Sequence, residues 1–337
     1  MLRGVQCRKC LILTAGAATL TLIVIVVGIV HTRTAFDIYG RSTVFEKSVT
    51  TVTTSTRQTV AVSDVTTFRG RLIKSSDQLG NDSLNSSRCI KTKISGLAFP
   101  ICVYGATEDV YVSNTFIVGG YYERRFVERF IRLLRRYPDI QFVDLGANIG
   151  TFTLPAARIT DVLAVEPYTK SMARLFKSIQ LGGVEKNVSL VFNAISNERA
   201  TSKLGFYPRN IGGTFLSAVH TTNCAGVSCT QTILLDDLLP LMRRRRAVMK
   251  VDIERHQPRV FTNSTASRFF QMIDVPLIFM EWNLCQQQYI SSEVRKLIHF
   301  FAAHQYRVFS ENDHLLERKS CRHWSGNIIL TKQSLNF

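Results

Sequence analysis

The sequence predicts an α/β protein whose sheet is mostly parallel and covered by helices on both faces. Two observations carry this. Beyond residue 120, continuous apolar runs of strand length alternate with stretches of helical length, the pattern of strands buried on both sides. Within that region, Gln-Phe-Val-Asp-Leu-Gly-Ala-Asn-Ile-Gly at 141–150 reads as a strand ending in Asp144, then a glycine turn, then a helix opening at Thr151. Open α/β sheets hold nucleotide-like ligands where a strand delivers its carboxyl end to such a turn.

The elements follow from the N-terminus. Residues 1–10, with Arg3, Arg8 and Lys9, read as a cytoplasmic tail. Residues 11–30 are uncharged and contain 12 Leu, Ile or Val, which favour bilayer insertion by roughly 5 kcal/mol. Twenty residues match a hydrocarbon core of about 30 Å. With the positive flank on the N-terminal side, a type II signal anchor is expected, its C-terminal part lumenal. A cleaved signal peptide fits less well, because its apolar segment is shorter, at about 7–15 residues. Cys7 and Cys10 border the span as candidates for acylation or as plain thiols.

Residues 31–104 read as a lumenal stem and lead-in. Thirteen Ser or Thr fall between Ser42 and Phe68 without apolar periodicity, a composition that cannot bury enough surface to fold and that suits O-glycosylation. Ile90–Gly120 is an ambiguous, partly stranded lead-in. Six cysteines (Cys89, Cys102, Cys224, Cys229, Cys285, Cys321) and four Asn-x-Ser/Thr sequons (Asn81, Asn85, Asn187, Asn263) all lie beyond the span, as an oxidising, glycosylating compartment would have it. Fifteen cysteine pairings are open. The net charge of +17 suggests nucleic acid in the abstract. Lumenal topology excludes that partner, leaving acidic glycans, anionic lipid or solubility. Anchor plus stem points to the Golgi.

The α/β domain occupies 105–337. Strands are predicted at Phe142–Leu145, Val162–Glu166, Val188–Phe192, Ala247–Ile253, Leu277–Trp282, Tyr306–Phe309 and Asn327–Thr331, the last antiparallel. Helices fit Tyr121–Tyr137, Thr151–Arg158, Thr169–Leu181, Pro258–Met272 and Ser291–His304. In the first of these, Phe126, Val127, Phe130, Ile131, Leu133 and Leu134 recur at helical spacing and leave the arginines on the wet face. Lys203–Thr232, rich in Gly, Ser and Thr, reads as an excursion over the site.

The turn indicates the cofactor class. A dinucleotide turn wants Gly-x-Gly-x-x-Gly, and this chain offers Gly146, Asn148 and Thr151 there. With no pyrophosphate to cradle, it suits a smaller adenosine cofactor, S-adenosylmethionine. Glu166, 22 residues after Asp144 and ending the next strand, can accept hydrogen bonds from both ribose hydroxyls.

The stretch Val143-Asp-Leu-Gly-Ala-Asn-Ile-Gly-Thr-Phe-Thr, followed by Ala164-Val-Glu-Pro, Leu234-Leu-Asp-Asp-Leu-Leu and Met249-Lys-Val-Asp-Ile-Glu, resembles the FkbM family of S-adenosylmethionine-dependent methyltransferases over residues 120–335. The resemblance implies a class I methyltransferase (Rossmann-like) fold with a seven-stranded, mostly parallel sheet. By it, Asp144, Gly146, Asn148, Gly150 and Glu166 hold the cofactor and Asn193 lies near the adenine. The family pattern Lys-x-Asp-x-Glu-Gly-x-Glu departs here to Lys250-Val-Asp252-Ile-Glu254-Arg255-His256-Gln257. Glycine at such a place marks close approach or unusual φ, so Arg255 is expected to crowd the pocket or distort the loop.

Catalytic groups should gather at the carboxyl ends of the strands. Asp252, Glu254, His256 and Glu281 stand there, His256 being the natural base on pKa grounds. Asp236 and Asp237 could join a divalent-metal cluster, with a helix cap as the alternative role; no Cys/His set has zinc spacing, and no metal site is predicted. The reading is a secretory-pathway O-methyltransferase acting on a glycan or glycoconjugate. The alternatives are a degenerate relative that binds without turnover, or an interaction protein on the same scaffold.

Overall fold

The structure, a computed structural model, describes residues 71–74, 78–79 and 87–332, apart from 219, 225–227, 263, 285–289 and 325. Its centre is an eight-stranded sheet. Five strands run parallel: β4 (Gln141–Leu145), β5 (Val162–Val165), β6 (Val188–Val191), β11 (Arg246–Val251) and β12 (Asp274–Glu281). Their spatial order is β6-β5-β4-β11-β12, so the chain reverses direction across the sheet between β4 and β11. Next come β14 (Asn327–Thr331), antiparallel to its neighbours, and β13 (Arg307–Ser310) at the edge. These seven strands are those the sequence predicts, in a mostly parallel α/β arrangement. The eighth, β1 (Leu72–Ile73), pairs antiparallel with β6 and lies in the stretch assigned to the stem.

All five residues of β4 are buried, and successive side chains alternate between two cores. Phe142 joins one cluster, Val143 and Leu145 the other. Both faces are apolar, which is why these strands read as continuous rather than alternating runs. On the Phe142 face lies α2 (Arg124–Arg136), which buries the six apolar residues named above. Its Phe130 packs 4.2 Å from the Phe142 ring and also meets Phe152 and Phe279. Here too sits α4 (Thr169–Gly182), while α7 (Ser292–Ala303), capped by the Ser291 hydroxyl, covers the other face.

Two helices differ from expectation. Thr151–Arg158 shortens to α3 (Thr153–Ala156). The expected helix Pro258–Met272 divides into α5 (Gln257–Val260) and α6 (Ser267–Met272). Between them the Thr265 hydroxyl donates to the Val260 carbonyl and sits 2.7 Å from the Thr262 hydroxyl. Such short polar side chains offer the backbone partners that compete with a helix ladder.

The lead-in forms a hairpin, β2 (Arg88–Ile94) and β3 (Leu97–Val103), joined by the Cys89–Cys102 disulfide. It packs on α4, where Ser178 Oγ accepts from Cys102 N and Arg174 Nε donates to Val103 O. A short helix, α1 (Val112–Ile117), follows. The excursion after β6 is a second sheet of β7 (Ala194–Ile195), β8 (Thr201–Tyr207), β9 (Asn210–Ala218) and β10 (Cys229–Ile233), with a Cys224–Cys229 disulfide beside it. Cys321 is buried. The expected span 11–30 and Cys285 lie outside the described residues, as do sequons Asn81, Asn85 and Asn263. Among the described residues no helix is long and apolar enough to cross a membrane. Asn187 is exposed but its amide donates to the Ala157 carbonyl.

Candidate functional site

A cleft of about 360 Å³ opens at the carboxyl ends of β4, β5, β11 and β12, in the size range of small-molecule sites. It spans the switch point between β4 and β11, where open α/β sheets bind ligands. At its floor the turn after β4 is fixed by Gly146 N and Ala147 N, both donating to Val165 O. Gly146 has φ +84°, and a Cβ there would stand 1.8 Å from the Asp252 carbonyl oxygen. Only glycine permits both the conformation and the approach of the two strand ends. Asn148 (φ +49°) and Gly150 (φ +99°) complete a backbone curve open to the cleft.

Glu166 is buried, and each of its carboxylate oxygens accepts one backbone N–H, from Asn148 and from Tyr168, at 2.8 Å. Burial outweighs these bonds and pushes its pKa up to about 7. Two oxygens held this way keep a second lone pair each for ligand hydroxyls. Asp144 accepts from the Thr153 hydroxyl through Oδ2, while Oδ1, equally buried, has no partner among the described residues. Burial raises it to about 6. Asn193 also lines the cleft, but its amide is engaged: Oδ1 accepts from Arg71 N and Nδ2 donates to Gln231 O. It ties the chain beside β1 to the second sheet as well as lining the cleft. Above the turn, Gly212 and Gly213 of β9 line the far wall, and Phe206 of β8 stacks 4.8 Å from Tyr168. The excursion thus forms the roof.

The other end of the cleft is acidic. Asp252, Glu254 and Glu281 bring carboxylate oxygens within 4.8 Å of one another. Lys250 donates to Asp252 Oδ2 at 2.8 Å and lies 4.9 Å over the Phe152 ring. Burial works against its ammonium, yet Asp252, Glu123 and Asp144 raise its pKa well above the ordinary lysine value. Glu254 is raised to about 7, by burial and then by repulsion from Asp252. Glu281 rises further, through burial and then repulsion from Asp252 and Glu254. Groups whose pKa values environment drives apart in one cleft are the usual signature of proton handling.

The structure revises several expectations. His256 is buried at the mouth of α5, its Nε2 2.8 Å from Ser196 Oγ. Burial and the Arg259 charge lower its pKa to about 4, so at neutral pH the ring is uncharged and Glu254 is the better-matched base. Arg255 does not crowd the cleft: it is exposed and absent from the lining. It and Glu254 take φ of +68° and +48°, so the loop keeps a glycine-like backbone without the glycine. Gln257, in place of a glutamate, is fully buried and donates to the Glu281 carbonyl. Asp236 and Asp237 lie apart from the cleft lining, and Asp237 takes the capping role: it accepts from Leu234 N at the start of the helix Leu235–Leu241 and pairs with Arg199, while Asp236 accepts from Phe269 N. No metal site was predicted, and the three-carboxylate group above has Lys250 as its counter-charge.

Sequence reasoning missed Lys250 and Glu123. Lys250 lies inside the quoted Met249-Lys-Val-Asp-Ile-Glu motif, so its signal was present. Glu123, half-buried with φ +51° and accepting from Asn327 Nδ2, left none.

No family model matches the chain, and no curated protein matches it. Among solved structures 238 chains match. They include precorrin-6y C5,15-methyltransferase from Geobacter metallireducens GS-15 (12% identity, 63% of this chain and 89% of that one, TM-score 0.33). A methyltransferase from Geobacter sulfurreducens gives 12% identity, 66% and 90% coverage and a TM-score of 0.34. Magnesium protoporphyrin IX methyltransferase from Synechocystis PCC 6803, solved with bound SAM, gives 12% identity, 66% and 84% coverage and a TM-score of 0.34. Likeness this distant assigns neither substrate nor chemistry.

Proposed function

We propose that the chain is an S-adenosylmethionine-dependent O-methyltransferase acting on a glycan or glycoconjugate, as its FkbM-like motifs suggest. The observation that carries the cofactor assignment is Glu166, buried with both oxygens aligned by backbone N–H groups beside a turn that only glycine at 146 permits. The orphan Asp144 Oδ1 supplies a further acceptor at the same end.

S-adenosylmethionine, when bound, supplies a methyl carbon already activated by the sulfonium. The chain's own work is alignment and proton removal. Glu254, raised to about 7, would take the proton of an acceptor hydroxyl and so leave its oxygen free to act as the nucleophile toward that methyl group. Lys250 holds Asp252 in place beside it, and burial with repulsion from Asp252 and Glu254 favours the neutral form of Glu281, which limits the negative charge in the cleft. The secretory, type II and Golgi assignments rest on residues 1–70 and on sequon and cysteine placement. Both described disulfides, Cys89–Cys102 and Cys224–Cys229, favour the oxidising side.

Titration calorimetry of the full-length chain with S-adenosylmethionine, followed by transfer of labelled methyl to a glycan pool, tests this. Binding with transfer supports the enzyme. Binding without transfer supports the degenerate relative, and no binding rejects the cofactor assignment.

A further inference from the structure

Outside the cleft, the wet face of α2 forms one side of a groove of about 810 Å³ whose other side is the turn Glu311–Asp313. Arg125, Arg129, Arg132 and Arg136 line it. Spaced i, i+4, i+7 and i+11, they fall on one helix face and extend roughly 16 Å along the axis. Arg129 bridges the groove to Asp313, and Arg136 lies over the Tyr137 ring. Arg125 and Arg132 are exposed, and neither makes a hydrogen bond or ion pair among the described residues. Three carboxylates, Glu128, Glu311 and Asp313, are interleaved with them.

The groove abuts the cleft. Glu311 accepts from Asn327 N, and Asn327 in turn lines the cleft and donates to Glu123, the residue that opens α2. Arg125 stands two residues beyond. A hydrogen-bonded chain, Glu123–Asn327–Glu311, therefore links a wall of the cleft to a wall of the groove.

We propose that this groove binds an acidic oligosaccharide, with sulfate or carboxylate groups on the arginines and ring hydroxyls on the interleaved carboxylates. A chain lying along α2 would then present its end to the cleft, so the inference rests on and extends the glycan reading of that site. The mixture of charges favours a ligand with free hydroxyls beside its anions. A sugar bearing both satisfies arginine and carboxylate together, whereas a phosphodiester polymer carries a charge at every unit and at most one free hydroxyl there to offer the three carboxylates. No exposed aromatic of the groove is available for base stacking, since Tyr137 is engaged by Arg136 and Arg246. A lipid surface fits poorly as well: Phe126 and Leu133, the groove's aliphatic and phenyl side chains, are buried, leaving nothing to insert.

The test uses the full-length chain and a heparin-derived hexasaccharide labelled at its reducing end. The comparison ligands are its desulfated, N-acetylated counterpart, a single-stranded RNA dodecamer and phosphatidylserine vesicles. The sulfated sugar should bind at least tenfold more tightly than any of these. The double substitution Arg125→Ser with Arg132→Ser should weaken it by about tenfold, each exposed charged contact being worth a factor of up to about five, while S-adenosylmethionine affinity stays the same. Equal binding by both proteins, or tighter binding of RNA or vesicles, would overturn the proposal. If neither protein binds S-adenosylmethionine yet the substitution still weakens the sugar, the cofactor reading fails and the groove stands.

Discussion

Replacing Glu166 by glutamine changes one atom of a buried carboxylate and separates its roles by pH. The ionised side chain offers two oxygens to Asn148 N and Tyr168 N, and under the proposed assignment both also accept from a ribose. Glutamine retains one oxygen, so one N–H loses its acceptor and the ribose loses one charged acceptor. A lost hydrogen bond to a charged group costs about 1.5–3 kcal/mol, or roughly 10- to 150-fold in affinity. That penalty should appear in full at pH 8, where the carboxylate is ionised. At pH 5.5, below its value of about 7, the wild-type carboxyl is itself mostly neutral, and the ratio between the two proteins should shrink to a few-fold.

Thermal melting gives a second readout. Glu166 rises from 4.5 to about 7 on folding, so the folded state holds its proton more tightly than the unfolded chain. Its stabilising contribution is complete below pH 4.5 and is lost as pH rises to about 7, by about 3 kcal/mol. The ligand-free wild type should therefore melt higher at pH 5 than at pH 8, and Glu166→Gln should flatten that slope. Calorimetric affinities whose ratio is constant from pH 5.5 to 8, or an unchanged affinity throughout, would refute the ribose assignment.

Gly146→Ala places a Cβ 1.8 Å from a backbone oxygen at φ +84°; neither can swing aside, so a loss of roughly 3 kcal/mol or more is expected, seen as a fall in melting temperature of about 6–12 °C. Glu254→Gln should lower methyl transfer by about 10²–10⁴-fold and leave the calorimetric affinity for S-adenosylmethionine within about threefold; equal loss of both would make Glu254 a binding group instead. Arg255→Gly should relieve about 1–2 kcal/mol of left-handed strain, offset by about 0.5–1 kcal/mol of chain entropy. A small rise in melting temperature with unchanged cofactor affinity follows, and a large rise in methyl transfer would return Arg255 to the role of an obstruction.

What could be read from the sequence divides along a physical line. The parallel strands were legible because burial on both faces makes Val143-Asp-Leu and Val248-Met-Lys-Val near-continuous apolar runs, and α2 because Phe126 to Leu134 keep helical spacing. The two-residue strand Leu72–Ile73 was not, because its pairing depends on a partner 119 residues away in register, Leu72 against Val191. Helix Pro258–Met272 was overextended because the Phe269 and Phe270 pattern runs on after Val260. Only the hydroxyls of Thr262 and Thr265, placed in three dimensions, show where the ladder stops.

The same division runs through the site. Asp144, Gly146 and Glu166 are local features, each at a strand end or turn, and the structure brings all three into one cleft. The choice of candidate base is not local. By intrinsic pKa, His256 outranks any carboxylate, and only tertiary burial with Arg259 alongside inverts the order, lowering His256 to about 4 while Asp252 and burial lift Glu254 to about 7. Arg255 is the companion case. Its departure from the glycine of the FkbM-like pattern suggested a crowded pocket or a distorted loop, but the position demands a left-handed φ rather than an absent side chain, and arginine meets that demand at a cost while remaining exposed. A glycine pattern records either a conformation or a close approach. At Gly146, where the Asp252 carbonyl sits in the path of a Cβ, it records both; at 255 the structure shows only the first.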